Sequence, residues 1–121
     1  SQASFQQSIG CRVQFEVDQS DLAAAARQIL AAQAIWLTNN GEFSVIIEGH
    51  ADEQGTREYN LALGARRANA VVEYLVSQGV APGRLQSVTY GKERPIALCS
   101  VETCYMQNRR AVTVVAAGGI G

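Results

Sequence analysis

The chain has 121 residues, with 10 Lys+Arg against 11 Asp+Glu and three cysteines, a length that suits one domain with a single core. The near-balanced charge argues against nucleic-acid binding through bulk electrostatics and removes a polybasic route to a membrane surface. No apolar run approaches the length of a membrane span.

Residues 1–10 are small and polar without periodicity, and are expected to form a loosely held leader ahead of a domain over 11–117. Ser8-Ile9-Gly10-Cys11 has a faint likeness to a lipoprotein-processing box. No hydrophobic segment precedes it and a strand starts one residue later, so Cys11 is expected as a partly buried or free thiol. Val13, Phe15 and Val17 alternate with polar neighbours, as a half-buried strand does. Ser20 is placed to cap a helix running to about Leu37, with Leu22, Ala25, Ile29, Ala32 and Trp36 as its apolar stripe. After Asn39-Asn40-Gly41 comes Phe43–Glu48, a β-branched run typical of a central strand. The turn Gly49–Gly55 leads to Thr56, a cap for a long helix whose expected buried stripe is Leu61, Ala65, Ala68, Val72 and Leu75. Gly79 and Val80 suit a left-handed C-cap. Leu85–Tyr90 and Ala111–Val115 are two further strands, separated by an irregular segment over 91–108. Gly118-Gly119 points to a frayed tail over 118–121. The order β-α-β-α-β-β predicts an α/β (α+β) two-layer sandwich with two main helices on one face of the sheet.

The chemical inventory is narrow. There is no phosphate-binding glycine loop, no G-x-S-x-G and no H-E-x-x-H, and His50 is the single histidine. Glu48-x-His50-x-Asp52 would place three side chains on one face of an extended strand, a pattern suited to a divalent metal or to a base with its orienting partner. The plainer alternative is a polar strand end whose histidine hydrogen-bonds a loop. Cys99 and Cys104 lie five residues apart, a span that a single turn can bridge. A disulfide, and with it an oxidising compartment, is favoured over reduced thiols, and a metal site comes last because no other His or Cys is near in sequence. Arg66 and Arg67 point about 100° apart on a helix, so they cannot form one clamp. One is expected on the surface, near Glu58 or Glu73; the other could face the turn. A guanidinium there would suit a carboxylate, and an aspartate an ammonium, so that together they fit a zwitterionic amino-acid group. The eleven residues from Thr56 to Arg67 span about 16 Å of helix, so the turn would have to fold back for Asp52 and Arg67 to share a ligand.

The run from Gly49 to Val71 fills a Gly-His-(Thr/Ala)-Asp turn, a Gly, and then Asn-x-x-Leu-(Ser/Gly)-x-x-Arg-Ala-x-x-Val. In this run the chain resembles the OmpA-like peptidoglycan-binding domain family. Gly55-Thr56-x-Glu58-Tyr59-Asn60, Tyr90–Pro95 and Asn108–Val112 narrow the likeness to its peptidoglycan-associated lipoprotein (Pal) branch. The resemblance covers about residues 12–116. It implies an OmpA-like fold with a mixed sheet, no enzymatic activity, no cofactor and no metal. It also implies non-covalent binding of peptidoglycan through meso-diaminopimelate. Asp52 matches the family's ammonium-binding aspartate and Arg67 its carboxylate-binding arginine. Phe15 and Asp18 match first-strand positions of the same groove. Glu53, Gly55 and Thr56 are expected to supply backbone hydrogen bonds, Asn60 to buttress the turn, and Asn108 and Arg109 to flank the groove. Gln54 stands where related sequences often have Arg, and Cys99–Cys104 lies outside the general pattern.

For the Pal branch the resemblance further implies a periplasmic protein of a Gram-negative envelope, tied to the outer membrane by a lipid anchor upstream of this chain. Its partners would be TolB and other Tol proteins, with no nucleic acid. An OmpA-type porin or a flagellar stator protein could carry the same domain. A metal-dependent hydrolase built on Glu48, His50 and Asp52 is the remote alternative.

Overall fold

A computed structural model describes residues 11–117, so the expected leader over 1–10 and frayed tail over 118–121 lie outside the described residues. Four strands, β1 (Arg12–Gln14), β2 (Phe43–His50), β3 (Leu85–Gly91) and β4 (Arg110–Ala117), form one sheet in the order β1-β4-β2-β3. β4 runs antiparallel to both β1 and β2, whereas β2 and β3 are parallel, so the sheet is mixed. Two long helices, α1 (Ala24–Asn39) and α2 (Arg57–Ser77), supply the second layer, and a short third helix, α3 (Glu102–Asn108), precedes β4. No helix among the described residues is long and apolar enough to cross a membrane.

The core lies between the sheet and the two long helices. Val13, Val45, Ile47 and Ala111 from the strands meet Leu30, Leu37, Ala68, Val71 and Leu75 from the helices. Each fully buried aliphatic side chain contributes roughly 1.5–3 kcal/mol of transfer free energy. Thr113 and Gln33 bury a polar pair in the same layer, the threonine hydroxyl donating to the amide oxygen at 2.8 Å.

Helix α2 starts and stops as its local chemistry dictates. The Thr56 hydroxyl accepts from the Tyr59 amide at 3.1 Å. At the other end Gly79 has φ of 104°, its amide donates to Val76 and that of Val80 donates to Leu75, which completes a Schellman cap. The buried face is rotated from the expected stripe, because Asn60, Leu63, Gly64 and Arg67 are buried beside Ala68, Val71 and Leu75, while Leu61, Ala65 and Val72 are half-buried. Polar groups that serve the candidate site occupy part of the face that apolar periodicity would assign to core.

Helix α1 departs further. Ser20 does not cap it: the helix begins at Ala24, after an uncapped Ala23. The preceding segment is held in a turn in which Gln19 donates to the Glu16 carbonyl, and both carbonyls are bound by Arg67. Its buried residues are Ala26, Leu30, Gln33, Ala34 and Leu37, one position along from the expected stripe, so that Ala25 is exposed and Trp36 half-buried against Phe43. Arg84 closes the far end, donating to the carbonyls of Leu37, Asn40 and Phe43. This cation at a helix C-terminus satisfies carbonyls the helix leaves open.

The 91–108 segment is not irregular throughout, because its last seven residues are α3. A Cys99–Cys104 disulfide, Cα atoms 5.6 Å apart, spans the start of that helix. Cys11 is a free, half-buried thiol.

α2 approaches β2 at Gly49 and Gly64. A methyl group on Gly49 would strike the Gly64 carbonyl, and one on Gly64 would strike the Thr89 hydroxyl and the Gly49 backbone. Gly64→Ala is expected to lower stability by about 1–3 kcal/mol through this overpacking. Gly83→Ala, where the space is open, is expected to change it little. Urea denaturation of both variants checks the contrast.

Candidate functional site

The carboxyl end of β2, the end of β1 and the start of β4 meet at one edge of the sheet, where the amino-terminal half of α2 covers them. A pocket of about 260 Å³ opens there, and Asp18, Asp52, Tyr59, Asn60, Arg67 and Arg109 are among its walls.

Arg67 is the least exposed of these, at 0%. Its Nε donates to the Gln19 carbonyl at 2.9 Å, Nη1 to that of His50 at 2.9 Å and Nη2 to that of Glu16 at 3.0 Å. The guanidinium also lies 5.2 Å from the Phe15 ring centroid, a cation–π distance. Of five N–H donors three are used, so one remains on each terminal nitrogen. Burial, then the nearby Arg109 charge, pulls its pKa down to about 10, against the opposing pull of Asp52. The side chain therefore keeps its charge at neutral pH. Because Arg67 reaches the His50 carbonyl, the turn folds back along α2, and Asp52 and Arg67 line the same pocket.

Asp52 accepts from the Gln54 amide at 2.9 Å, the Gln54 side chain at 3.3 Å and Arg109 Nη1 at 3.2 Å. Arg109, 3% exposed, is held on its other side by a two-pronged contact to Glu102, at 2.6 and 3.3 Å, and its Nε donates to the Phe15 carbonyl. These two acids, Glu102 first, raise the Arg109 pKa. Asp18 sits at φ 57° and accepts from the Tyr59 hydroxyl at 3.1 Å. Asn60 donates to the carbonyls of Gln54 and Thr56, the buttress expected of it, and Lys92 donates to the Gly55 carbonyl. Two guanidiniums and two carboxylates thus surround a small cavity. Chemically this suits a ligand group that carries both signs of charge.

Four expected groove residues stand elsewhere. Phe15 lies beneath Arg67, and its position is to support the guanidinium. Glu53 and Thr56 are not among the pocket walls, and the Thr56 hydroxyl is the helix cap. Asn108 fastens the preceding loop, accepting from the Ile96 and Ala97 amides and donating to the Ala97 carbonyl. Arg109 is one of the pocket walls and also the direct partner of Asp52. Gln54 and Tyr59 also belong to the pocket. Both sit in the recognised motif, but nothing in their spacing showed where they would point. Of the adjacent arginines, Arg66 is exposed, 6.0 Å from the centroid of the Tyr59 ring.

The Glu-x-His-x-Asp alternation does not assemble. Glu48 and His50 meet at 3.2 Å, but a register shift between Gly49 and His50 breaks the alternation and Asp52 lies past the strand. Among the described residues no three His, Cys, Asp or Glu side chains converge.

The OmpA family model matches residues 14–112. The chain belongs to the OmpA family. Among its OmpA-domain relatives, the peptidoglycan-associated lipoprotein of Mesorhizobium japonicum is 52% identical over 98% of this chain and 71% of that protein. The protein of the same name from Pseudomonas aeruginosa is 54% identical over 79% of this chain and 56% of its own length. Among solved structures, the peptidoglycan-associated lipoprotein from Burkholderia pseudomallei superposes with a TM-score of 0.88 at 36% identity, covering 92% of this chain and 96% of that one. The C-terminal domain of Helicobacter pylori MotB shares the fold, with a TM-score of 0.81 at 21% identity over 88% of this chain and 84% of its own. The mixed sheet and helices are those of the OmpA-like fold.

Two outcomes follow from this geometry. Arg67→Ala removes three hydrogen bonds to carbonyls, of which that of Glu16 keeps the Gln19 amide, and is expected to cost about 2 kcal/mol or more, at about 1 kcal/mol or more for each of the other two; chemical denaturation measures it. His50 is the second case. Its pKa is lowered from 6.5, first by burial and then by Arg110 and Arg94, against the raising effect of Glu48. Its Nδ1 is buried without a partner. The unfolded chain takes up this proton near the ordinary value and the folded chain only below it, so acidification through that window favours unfolding. His50→Gln is expected to lose less thermal stability than the wild type between pH 7 and pH 5; equal losses would refute this.

Proposed function

We propose that this chain binds peptidoglycan non-covalently through the meso-diaminopimelate of the stem peptide, as a binding module and not a catalyst. The observation that carries the reading is Asp52 and Arg67 on the walls of one small pocket, with two Arg67 N–H groups left over from its backbone contacts. Asp52 takes the ammonium and Arg67 the carboxylate of one amino-acid end. At about 260 Å³ the cavity suits such an end, not a whole glycan repeat. Asp18, Gly55, Asn60 and Arg109 are among its other walls. The names of the relatives, peptidoglycan-associated lipoproteins, support the same ligand.

On this reading the chain is the cell-wall grip of a Pal-type lipoprotein in the periplasm of a Gram-negative bacterium. It ties the outer membrane to the wall and works with TolB and other Tol proteins. The disulfide agrees with an oxidising compartment.

Arg67 cannot serve as the first test, because its loss also removes structural hydrogen bonds. Asp52→Asn is the cleaner variant: Arg109 retains Glu102, so the fold is expected to survive. The variant should lose retention on purified sacculi, a penalty of order 2–5 kcal/mol for one desolvated charge pair. Free diaminopimelate should displace the wild-type chain better than lysine, which lacks the second carboxylate. Full retention of folded Asp52→Asn would sink the assignment.

A further inference from the structure

Arg109 is shared between two acids of unequal standing. Asp52 meets one terminal nitrogen at 3.2 Å, whereas Glu102 takes both, at 2.6 and 3.3 Å. Asp52 belongs to the pocket, while Glu102 is 63% exposed and belongs to the first turn of α3. That turn is the one the Cys99–Cys104 disulfide closes, and Arg109 caps the other end of the same helix. The acid, the arginine and the crosslink are therefore one short rigid unit. Glu102 has no place in the family motif or in the pocket wall.

We infer that Glu102, fixed by the Cys99–Cys104 disulfide, is a positioning residue that draws Arg109 towards α3 and so keeps the Asp52 carboxylate open to an ammonium. This rests on the proposed reading of the pocket. Without Glu102 the buried guanidinium has one acid left to satisfy it, and that acid is Asp52. A fully engaged Asp52 accepts an incoming ammonium less well. Carboxylate capture by Arg67 does not pass through this contact, so the effect is selective for the ligand's positive charge.

The test is titration of the ¹⁵N-labelled chain, followed by NMR, with diaminopimelate and with pimelate, the same dicarboxylate lacking both ammonium groups. Glu102→Gln is expected to weaken diaminopimelate binding roughly two- to fivefold, the scale of one partly exposed ion pair, and to leave pimelate unchanged. The Cys99→Ser/Cys104→Ser double variant should shift in the same direction. So should the wild type treated with dithiothreitol, which passes two electrons and two protons to the disulfide, closing its own ring and leaving two thiols. In the Glu102→Gln background neither change should weaken binding further. The amide spectrum reports directly whether each variant is folded. Equal weakening for both ligands would mean that Glu102 merely holds the loop, and no weakening for either would mean that it does nothing to Asp52; each overturns the inference. Absence of any diaminopimelate binding by the wild type would instead overturn the reading of the pocket itself.

Discussion

A single buried guanidinium joins the parts of this domain that the sheet leaves separate. Arg67 projects from the middle of α2 and binds carbonyls from the β1–α1 connection and from the end of β2. The first is a connection with few backbone partners of its own and the second the last residue of a strand, and a carbonyl buried without a donor at such a place is costly. An arginine is the side chain that can serve three such groups at once, because its donors are fixed in a planar fork. The Phe15 ring beneath it supplies the remaining support.

The same constraint shapes the pocket. Because Arg67 is immobilised by three carbonyls, its two remaining N–H groups are set before any ligand arrives, and little side-chain entropy is left to lose on binding. Asp52 is held in a comparable way by Gln54 and Arg109, so both proposed charge-reading groups are pre-positioned. Stability and the proposed recognition thus rest on one side chain, which is why removal of Arg67 tests both together. The separation between them has to be sought at Asp52, whose structural partner Arg109 has a second acid available.

Much of this was legible in the residues. Thr56 and Gly79 announce the ends of α2 through local backbone chemistry that tertiary packing does not override. The β-branched run at Phe43 likewise marks the central strand. Periodicity failed where polar groups occupy the buried face: an apolar stripe cannot include Arg67 or Asn60, so the face of α2 was rotated. Ser20 misled because the carbonyls of its neighbours are claimed by that same arginine, a partner 48 residues from Gln19. Helix α3 escaped notice because it has seven residues and no side-chain cap. The motif singles out Asp52 and Arg67, whereas the contact of Arg109 with Asp52 has no local signal, since Arg109 and Arg110 are both buried and their spacing does not show what either reaches.

The strand order has a mechanical consequence. The pocket lies at the edge where β1 ends and β4 begins, and the described chain enters β1 at Arg12, on the side away from it. A force applied between the pocket and Arg12 along the strand axis would pass through β1. The three β1–β4 residue pairs would then be loaded together, in shear, and not peeled apart one at a time. A three-residue ladder is short, and parallel loading is the geometry in which so short a ladder resists most.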